Sequence, residues 1–263
     1  RKKRWPNMMH EDRLKPLRWY RDLSSPRGRM QAGAFLIEGG RAVEQVMQNN
    51  PDQIIELLCV EGHGNTLSGF PVRTLSRSRM NSICTAKTPQ GIAAVVSIPS
   101  GVYEQSLPEQ TGSSVLLLED VQDPGNVGTL VRAAAAFGFS GVILSRQCAD
   151  PFSAKCVQAA AGTILTLWLR RSDGYLNIAK KLTAQGYTLA AADLSGTRES
   201  DVLVHIDRLI LALGNEGSGL SGEVLALADS RVKISIDDAK VQSLNVALSG
   251  AILMSRRYEG RRS

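Results

Sequence analysis

The order of apolar and polar segments along the chain predicts two successive α/β units. In the first unit, short apolar runs that are typical of buried strands alternate with helical stretches. The runs are FLIEG (35–39), IIELLCV (54–60), PVRTLS (71–76) and IAAVVSI (92–98). A helix is predicted over 41–49. The pattern therefore predicts a small α/β domain over residues 17–98.

The second unit has more uniformly apolar strand segments, as expected for strands that are buried on both faces of a parallel sheet. They are SVLLLEDV (114–121), GVILS (141–145), LTLWL (165–169), TLAAAD (188–193), LILALG (209–214) and VKISI (232–236). Helices are predicted over 127–137, 153–161, 175–185, 222–227 and 244–257. This alternation predicts an α/β domain over 113–263, a parallel sheet covered by helices. Ligands in such sheets bind beyond the carboxyl ends of the strands.

The composition changes between the two units. Residues 99–112, PSGVYEQSLPEQTG, contain two prolines, two glycines and little apolar periodicity, which predicts a linker. We therefore expect four parts: a basic arm over 1–16, the first domain over 17–98, this linker, and the second domain over 113–263.

The positive charge of the chain is concentrated at its start. The formal net charge is +6 over 263 residues. Residues 1–31 contain ten Lys and Arg against three acidic residues, a net of +7, so the rest of the chain carries −1. Such an arm often binds phosphate backbones. A solvated tail or a targeting remnant is the alternative, and the sequence leaves both open.

The numbers and spacing of the cysteines and histidines limit the kinds of site that the chain can form. Four cysteines show neither CxxC spacing nor a disulfide framework, so we expect small apolar core residues in a reducing, cytoplasmic location. The three histidines are too dispersed to propose a metal site. No apolar run approaches the roughly 20 residues of a membrane span, so we expect no membrane segment.

The first loop with unusual chemistry is DPGNVGTLVRAAAAFG (123–138), between a predicted buried strand and a helix. Asn126 is predicted to cap that helix, because an asparagine side chain accepts hydrogen bonds from free N–H groups. Arg132 lies nearly two turns further on, among apolar residues. A charge on so apolar a helix needs a partner. The partner is either a ligand or an acid across the sheet.

The second loop is LILALGNEGSGL (209–220), a strand followed by a glycine-rich turn. Its spacing is neither the dinucleotide fingerprint nor a P-loop. Glu216 would repel phosphate, so this loop disfavours nucleotide triphosphates and NAD. A ligand with positive charge or hydroxyl groups fits better. A plain turn with a helix-capping acid is the alternative.

The third loop opens VQSLNVALSGAILMSRR (241–257). Ser243 is the expected N-cap of the helix, whereas Asn245, inside its first turn, is less easily explained by capping. Small residues later in the helix would allow close packing against another helix. That packing is either internal or across a dimer.

These loops carry a resemblance to a known family. The motifs N-V-G-T-L-V-R, L-G-N-E-G-S-G-L and S-L-N-V-A, in this order, resemble those of the SpoU (TrmH-type) RNA 2′-O-ribose methyltransferases. The resemblance extends from about Ser113 to the end of the chain. The first unit is similar to the RNA-binding domain related to ribosomal protein L30e, through FLIEG, the following Arg41, and TPQGIAAVV (88–96).

The resemblance implies a C-terminal SPOUT domain with a deep trefoil knot that binds S-adenosyl-L-methionine and forms a homodimer through this domain. The implied catalytic residues are Asn126, Arg132, Glu216, Ser243 and Asn245. The implied cofactor contacts are Gly214, Ile234 and Leu244. One stretch departs from the family pattern, because ISIDDAKVQSLN lacks the usual proline and glycine before Ser-Leu-Asn. Ile236 is therefore an alternative to Ile234.

The implied activity is methyl transfer from S-adenosyl-L-methionine to a ribose 2′-hydroxyl of RNA. The two-domain layout favours ribosomal RNA. The alternatives are a transfer RNA 2′-O-methyltransferase, a base methyltransferase on the same fold, and a non-catalytic RNA-binding protein. Arg132 is expected to bind a phosphate and stabilise a developing alkoxide, and a role as proton acceptor stays open.

Overall fold

The computed structural model describes residues 15–62, 67, 69–86, 88–237 and 239–260. The predicted basic arm, 1–16, lies almost entirely outside the described residues. None of the helices described is long and apolar enough to cross a membrane.

The N-terminal part is built on a four-stranded sheet. Its strands are β1 (Ala34–Glu38), β2 (Ile54–Val60), β3 (Val72–Leu75) and β4 (Ile92–Ser97). Its helices are α1 (Leu17–Asp22), α2 (Pro26–Ala32), α3 (Gly40–Asn49) and α4 (Arg77–Ile83). The strand order is β1-β4-β2-β3, in which β4 is antiparallel to both neighbours and β2 is parallel to β3. The four predicted strands and the predicted helix are confirmed to within a few residues.

Alternating side chains give this sheet two apolar faces. Leu36 and Leu58 point to the side on which α1 and α4 pack. Phe35 and Leu57 point to the side of α3. Both faces are therefore buried, which explains why β1 and β4 are apolar over most of their length.

The C-terminal part is a seven-stranded sheet in which all neighbouring strands are parallel. Its strands are β5 (Ser114–Leu118), β6 (Gly141–Ser145), β7 (Trp168–Ser172), β8 (Thr188–Ala192), β9 (Arg198–Glu199), β10 (Leu209–Leu213) and β11 (Ser230–Lys233). The helices are α5 (Pro124–Ala136), α6 (Ala154–Ala160), α7 (Tyr175–Thr183), α8 (Gly222–Leu227) and α9 (Val246–Gly260). The strand order is β7-β6-β5-β10-β8-β11-β9. The predicted parallel α/β architecture is confirmed, and the trefoil knot stays a prediction.

Helices cover both faces of this sheet. Helices α7 and α8 pack on one face, and α5, α6 and α9 pack on the other. All residues of β5, β6 and β10 are buried. Because these three strands are consecutive in the sheet and parallel, their loops emerge side by side at the carboxyl edge.

Two predicted strands are displaced in the structure. The prediction over 165–169 is wrong at its start, because Thr163–Leu165 forms a 3-10 turn and the strand is Trp168–Ser172. Ile164 and Leu165 are buried in that turn, and an apolar run does not distinguish a buried turn from a strand. The prediction over 232–236 is also shifted. Strand β11 ends at Lys233, and the two isoleucines that follow leave the sheet.

The two parts of the chain share one continuous core. Phe35 of β1 packs against Phe152, next to α6, with ring centroids 4.8 Å apart. The guanidinium of Arg29, in α2, forms a 2.5 Å ion pair with Asp150 in the loop before α6. Arg29 is only 3% exposed. The N-terminal sheet is therefore packed against the helices of the C-terminal sheet.

Candidate active site

The loops that follow β8, β10 and β11 surround a cavity of about 610 Å³ at the carboxyl edge of the parallel sheet. Six of the eight predicted site residues line it: Gly214, Glu216, Ile234, Ser243, Leu244 and Asn245. Asn126 reaches this group through hydrogen bonds, and Arg132 stands apart on α5. The topology thus brings together segments that are more than 100 residues apart in sequence.

The first loop is ordered by Asp123. Its Oδ1 accepts hydrogen bonds from the backbone N–H of Gly125 (2.7 Å) and Asn126 (3.0 Å), so Asp123 is the N-cap of α5. The prediction that Asn126 caps this helix is wrong, because the helix begins three residues earlier than expected. Lys155 lies 2.7 Å from the other Asp123 oxygen. The hydrogen bond from Lys155 and those from the backbone hold the pKa of Asp123 below its usual value.

A chain of hydrogen bonds links the three loops. Asn126 Nδ2 donates to Glu216 Oε1 at 2.9 Å, and Asn245 Nδ2 donates to Asn126 Oδ1 at 3.2 Å. The carboxylate of Glu216 only accepts, so it requires the amide nitrogen of Asn126 to face it. That requirement leaves the Asn126 oxygen to face Asn245. The donor and acceptor directions are therefore fixed along the hydrogen-bond chain from Asn245 through Asn126 to Glu216.

Glu216 is held in its ionised form. Desolvation raises its pKa, but hydrogen bonds from the Asn126 side chain and from backbone N–H groups outweigh that effect. The net result is a pKa below the usual value of a glutamate. Glu216 is not a helix-capping acid, the alternative that the sequence left open.

Asn245 both caps α9 and faces the site. Its Oδ1 accepts hydrogen bonds from the backbone N–H of Ala247 (2.9 Å) and Leu248 (3.3 Å). The expectation that Ser243 caps this helix is therefore wrong, since α9 begins at Val246. Ser243 is exposed and lines the cavity instead.

The second loop is a closed turn. Asn215 and Gly219 exchange two backbone hydrogen bonds of 3.0 Å, and Asn215 Oδ1 accepts from the N–H of Gly217 and Ser218. Because these N–H groups already donate hydrogen bonds within the turn, they are not free to bind a phosphate. A Cβ at Gly214 would lie 2.3 Å from the Gly219 backbone, so the close approach requires glycine.

Arg132 is exposed, and its side chain forms no hydrogen bond or ion pair within the described part of the chain. The salt bridge that the sequence left open as an alternative is therefore not formed there. Its guanidinium is available to an anionic ligand.

The cavity fits a ligand with an apolar portion and polar ends. Ile234, Ile236 and Leu244 are half-buried in its lining, so both alternative isoleucines face it. Its volume lies within the roughly 300–1,000 Å³ of small-molecule sites. Leu194 and Ser195, directly after β8, also line the cavity and were missed from sequence. Their position at the carboxyl end of a predicted strand was the available signal.

Comparisons with known proteins agree with this architecture. The model of the SpoU rRNA methylase family matches residues 113–255, and that of the MRM3-like substrate-binding domain matches residues 16–94. The Bacillus subtilis 23S rRNA (guanosine(2553)-2′-O)-methyltransferase RlmP is 30% identical over 240 residues, 89% of this chain and 92% of that protein. An uncharacterised tRNA/rRNA methyltransferase of Synechocystis is 30% identical over 258 residues, 92% of this chain and 89% of that protein.

Solved structures show the same fold. A TrmH-family protein from Porphyromonas gingivalis is 30% identical, with a TM-score of 0.81 over 95% of this chain and all of that one. The SpoU methyltransferase AviRb from Streptomyces viridochromogenes, solved with S-adenosylmethionine, has a TM-score of 0.82 at 21% identity. That match covers 95% of this chain and 99% of AviRb. With its family model covering more than half of its length, the chain belongs to the SpoU rRNA methylase family.

Proposed function

We propose that this protein transfers a methyl group from S-adenosylmethionine to a ribose 2′-hydroxyl of ribosomal RNA. The observation that carries the proposal is the hydrogen-bonded group of Asn126, Glu216 and Asn245 at a cavity on the carboxyl edge of a parallel sheet. The substrate class is supported by family membership and by RlmP, a ribosomal RNA 2′-O-methyltransferase that is similar over most of its length.

The cavity would hold the cofactor. The bound cofactor supplies a methyl group on a sulfonium, an electrophile ready for transfer. Gly214 lines the cavity and lets the Gly219 backbone approach closely, which shapes the turn of the second loop. Leu244 with Ile234 or Ile236 offers apolar surface to the adenosyl portion. The carboxylate of Glu216 suits a cationic ligand, because opposite charges attract.

The polar side chains would orient the acceptor hydroxyl. No histidine lines the cavity, so the commonest general base is absent from its described lining. Glu216 has a lowered pKa, which makes it a weak proton acceptor and a good hydrogen-bond acceptor. We assign Glu216, Ser243 and Asn245 to positioning, because alignment alone supplies a large part of such rate accelerations.

Arg132 would bind the phosphate next to the target ribose. A guanidinium binds phosphate through two parallel hydrogen bonds and stays charged. Its positive charge stabilises the oxyanion that develops as the 2′-hydroxyl attacks. The exposure of Arg132, without a partner in the described residues, supports this assignment.

A homodimer through the C-terminal domain is part of the proposal. Leu248 and Ile252 lie one turn apart on α9, with 58% and 37% of their surfaces exposed. Helix α9 packs against α5, which carries Arg132. Burial of this apolar pair in a dimer would bring a second chain close to Arg132.

The proposal also includes a division of the chain into domains and a cellular location. We divide the chain at 99–112 into an RNA-binding domain and a methyltransferase domain. We place the protein in the cytoplasm, since all four cysteines are free thiols.

The test of the substrate is a comparison of 2′-O-methyl sites in RNA from cells with and without this gene. We expect one site in ribosomal RNA to disappear with the gene. Loss of a transfer RNA site instead would favour the alternative substrate. Titration of the purified protein with S-adenosylmethionine separates an enzyme from a pure RNA-binding protein, which would show no binding.

A further inference from the structure

Glu119 is a buried carboxylate that the proposed reaction does not use. It directly follows β5 and is only 4% exposed. Its Oε2 accepts a 2.7 Å hydrogen bond from the backbone N–H of Ser221, and Tyr175 donates its phenol hydroxyl to Oε1. In the described part of the chain, no cationic side chain forms an ion pair with it.

The two hydrogen bonds explain how this carboxylate is tolerated. A buried charge is costly unless it is hydrogen-bonded, and here each oxygen has one donor. The pKa of Tyr175 is raised, mainly by desolvation and secondly by its hydrogen bond to Glu119. The phenol therefore remains protonated and can donate. Ser221 is the N-cap of α8 and directly follows the second loop.

Asp120, the next residue, holds the other end of the same loop. Its carbonyl oxygen accepts a 2.9 Å hydrogen bond from Asn215 Nδ2. Asp120 has a φ of 56°, which is unusual outside glycine. Ser145 stabilises this conformation, because its hydroxyl accepts from Asp120 N–H at 2.9 Å and donates to Asp120 Oδ1 at 2.6 Å.

We propose that Glu119 and Asp120 form a clamp that positions the second loop, 214–220, against the cofactor. This inference rests on the proposed function. Within the loop, the turn from Asn215 to Gly219 is closed on itself and would persist as a unit. Its orientation is therefore set by its attachments. Besides the hydrogen bond between Glu216 and Asn126, these are the Asp120 carbonyl at one end and the Glu119 carboxylate, through Ser221, at the other.

The clamp acts at a distance from the reacting atoms. Glu119 does not line the cavity, whereas the whole loop from Gly214 to Leu220 does. Release of Ser221 would let the loop move away from the cofactor. Glu119 is thus a positioning residue, with its main effect on cofactor affinity.

The test compares four variants of the full chain. Glu119→Ala removes both acceptors, and Glu119→Gln keeps an oxygen for the Ser221 N–H. Tyr175→Phe removes one donor. Tyr187→Phe is the matched control, because it deletes a phenol hydroxyl of the same domain that donates to the Gly112 carbonyl, away from the loop. The readouts are S-adenosylmethionine titration, steady-state kinetics and hydrogen exchange of 214–221.

For Glu119→Ala we expect about a tenfold rise in the Kd and the KM for S-adenosylmethionine, the usual size for loss of a hydrogen bond to a charged group. We expect kcat at saturating cofactor and the KM for RNA to change much less. Exchange should accelerate in 214–221 but not in β5 or β10. Glu119→Gln should recover most of the affinity, Tyr175→Phe should be intermediate, and Tyr187→Phe should match wild type.

Unchanged cofactor affinity in folded Glu119→Ala would overturn the clamp. If Glu119→Ala does not fold, Tyr175→Phe with affinity equal to Tyr187→Phe would overturn it. Failure of the proposed function is a different result, because the wild-type protein itself would then not bind S-adenosylmethionine.

Discussion

At the residue scale, the asparagine that caps a helix is Asn245 and not Asn126. Asn126 was expected to cap a helix and is instead held by Glu216, whereas Asn245 caps α9. Amides and carboxylates in loops after buried strands marked these positions as candidate site residues, and their roles stay a prediction. Their hydrogen-bond partners come from distant segments, so local spacing did not reveal them.

A first prediction separates the two roles of Asn245. Asn245→Asp keeps the helix cap but cannot donate to Asn126, whereas Asn245→Ala loses both. We expect Asn245→Ala to lower the free energy of unfolding by about 1 kcal/mol and Asn245→Asp to be close to wild type. Both should lose most of the methyl transfer activity. Denaturant unfolding and turnover measure the two effects, and full activity of Asn245→Asp would show that only the cap matters.

A second prediction concerns Arg132. Because it is exposed and has no partner in the described part of the chain, Arg132→Ala should fold normally and bind S-adenosylmethionine with nearly unchanged affinity. Methyl transfer should be abolished, since the phosphate contact and the charge near the oxyanion are both lost. Titration with S-adenosylmethionine checks the predicted affinity, and a methyl transfer assay checks the predicted loss of activity. Turnover at the wild-type rate would refute the assigned role.

At the element scale, helix and strand boundaries were the weakest part of the sequence interpretation. Helix α5 starts earlier than expected because Asp123, rather than Asn126, satisfies its first N–H groups. Strand β11 stops at Lys233, which leaves Ile234 and Ile236 to line the cavity. Apolar residues that face a ligand cavity have the same sequence pattern as residues of a buried strand.

A third prediction tests the fit of the second loop. Gly214→Ala places a Cβ 2.3 Å from the Gly219 backbone, so the loop must shift. We expect a rise of at least about tenfold in the Kd for S-adenosylmethionine. Gly222→Ala is the matched control, because a Cβ there would meet no atom within 4 Å. Equal affinities of the two variants would contradict this reading of the loop.

At the scale of the whole molecule, the alternation of strands and helices predicted two α/β parts, and the structure contains both. What the sequence pattern did not reveal is their shared core. Phe35 lies in the N-terminal sheet and Phe152 in the turn before α6, and they are more than 100 residues apart, so no local periodicity relates them. The buried Arg29–Asp150 ion pair is likewise a long-range contact. The N-terminal part is therefore positioned relative to the active site by packing, not by the 99–112 segment alone.

A fourth prediction follows from this packing. Arg29→Ala leaves the Asp150 carboxylate without its cationic partner and should lower the free energy of unfolding by about 3 kcal/mol, or roughly 6–12 °C in Tm. Arg27→Ala, an exposed position in the same helix, should change stability by less than about 0.5 kcal/mol. Thermal unfolding of both variants is the measurement. Equal Tm values would show that the ion pair does not hold the two parts together.

The central claim is that the acceptor is a ribose 2′-hydroxyl. The most direct measurement is mass analysis of nucleosides after the purified protein has acted on its RNA with labelled S-adenosylmethionine. We expect a single 2′-O-methylated nucleoside, and no product when the target ribose is replaced by deoxyribose. A methylated base, or continued methylation of the deoxyribose substrate, would contradict it.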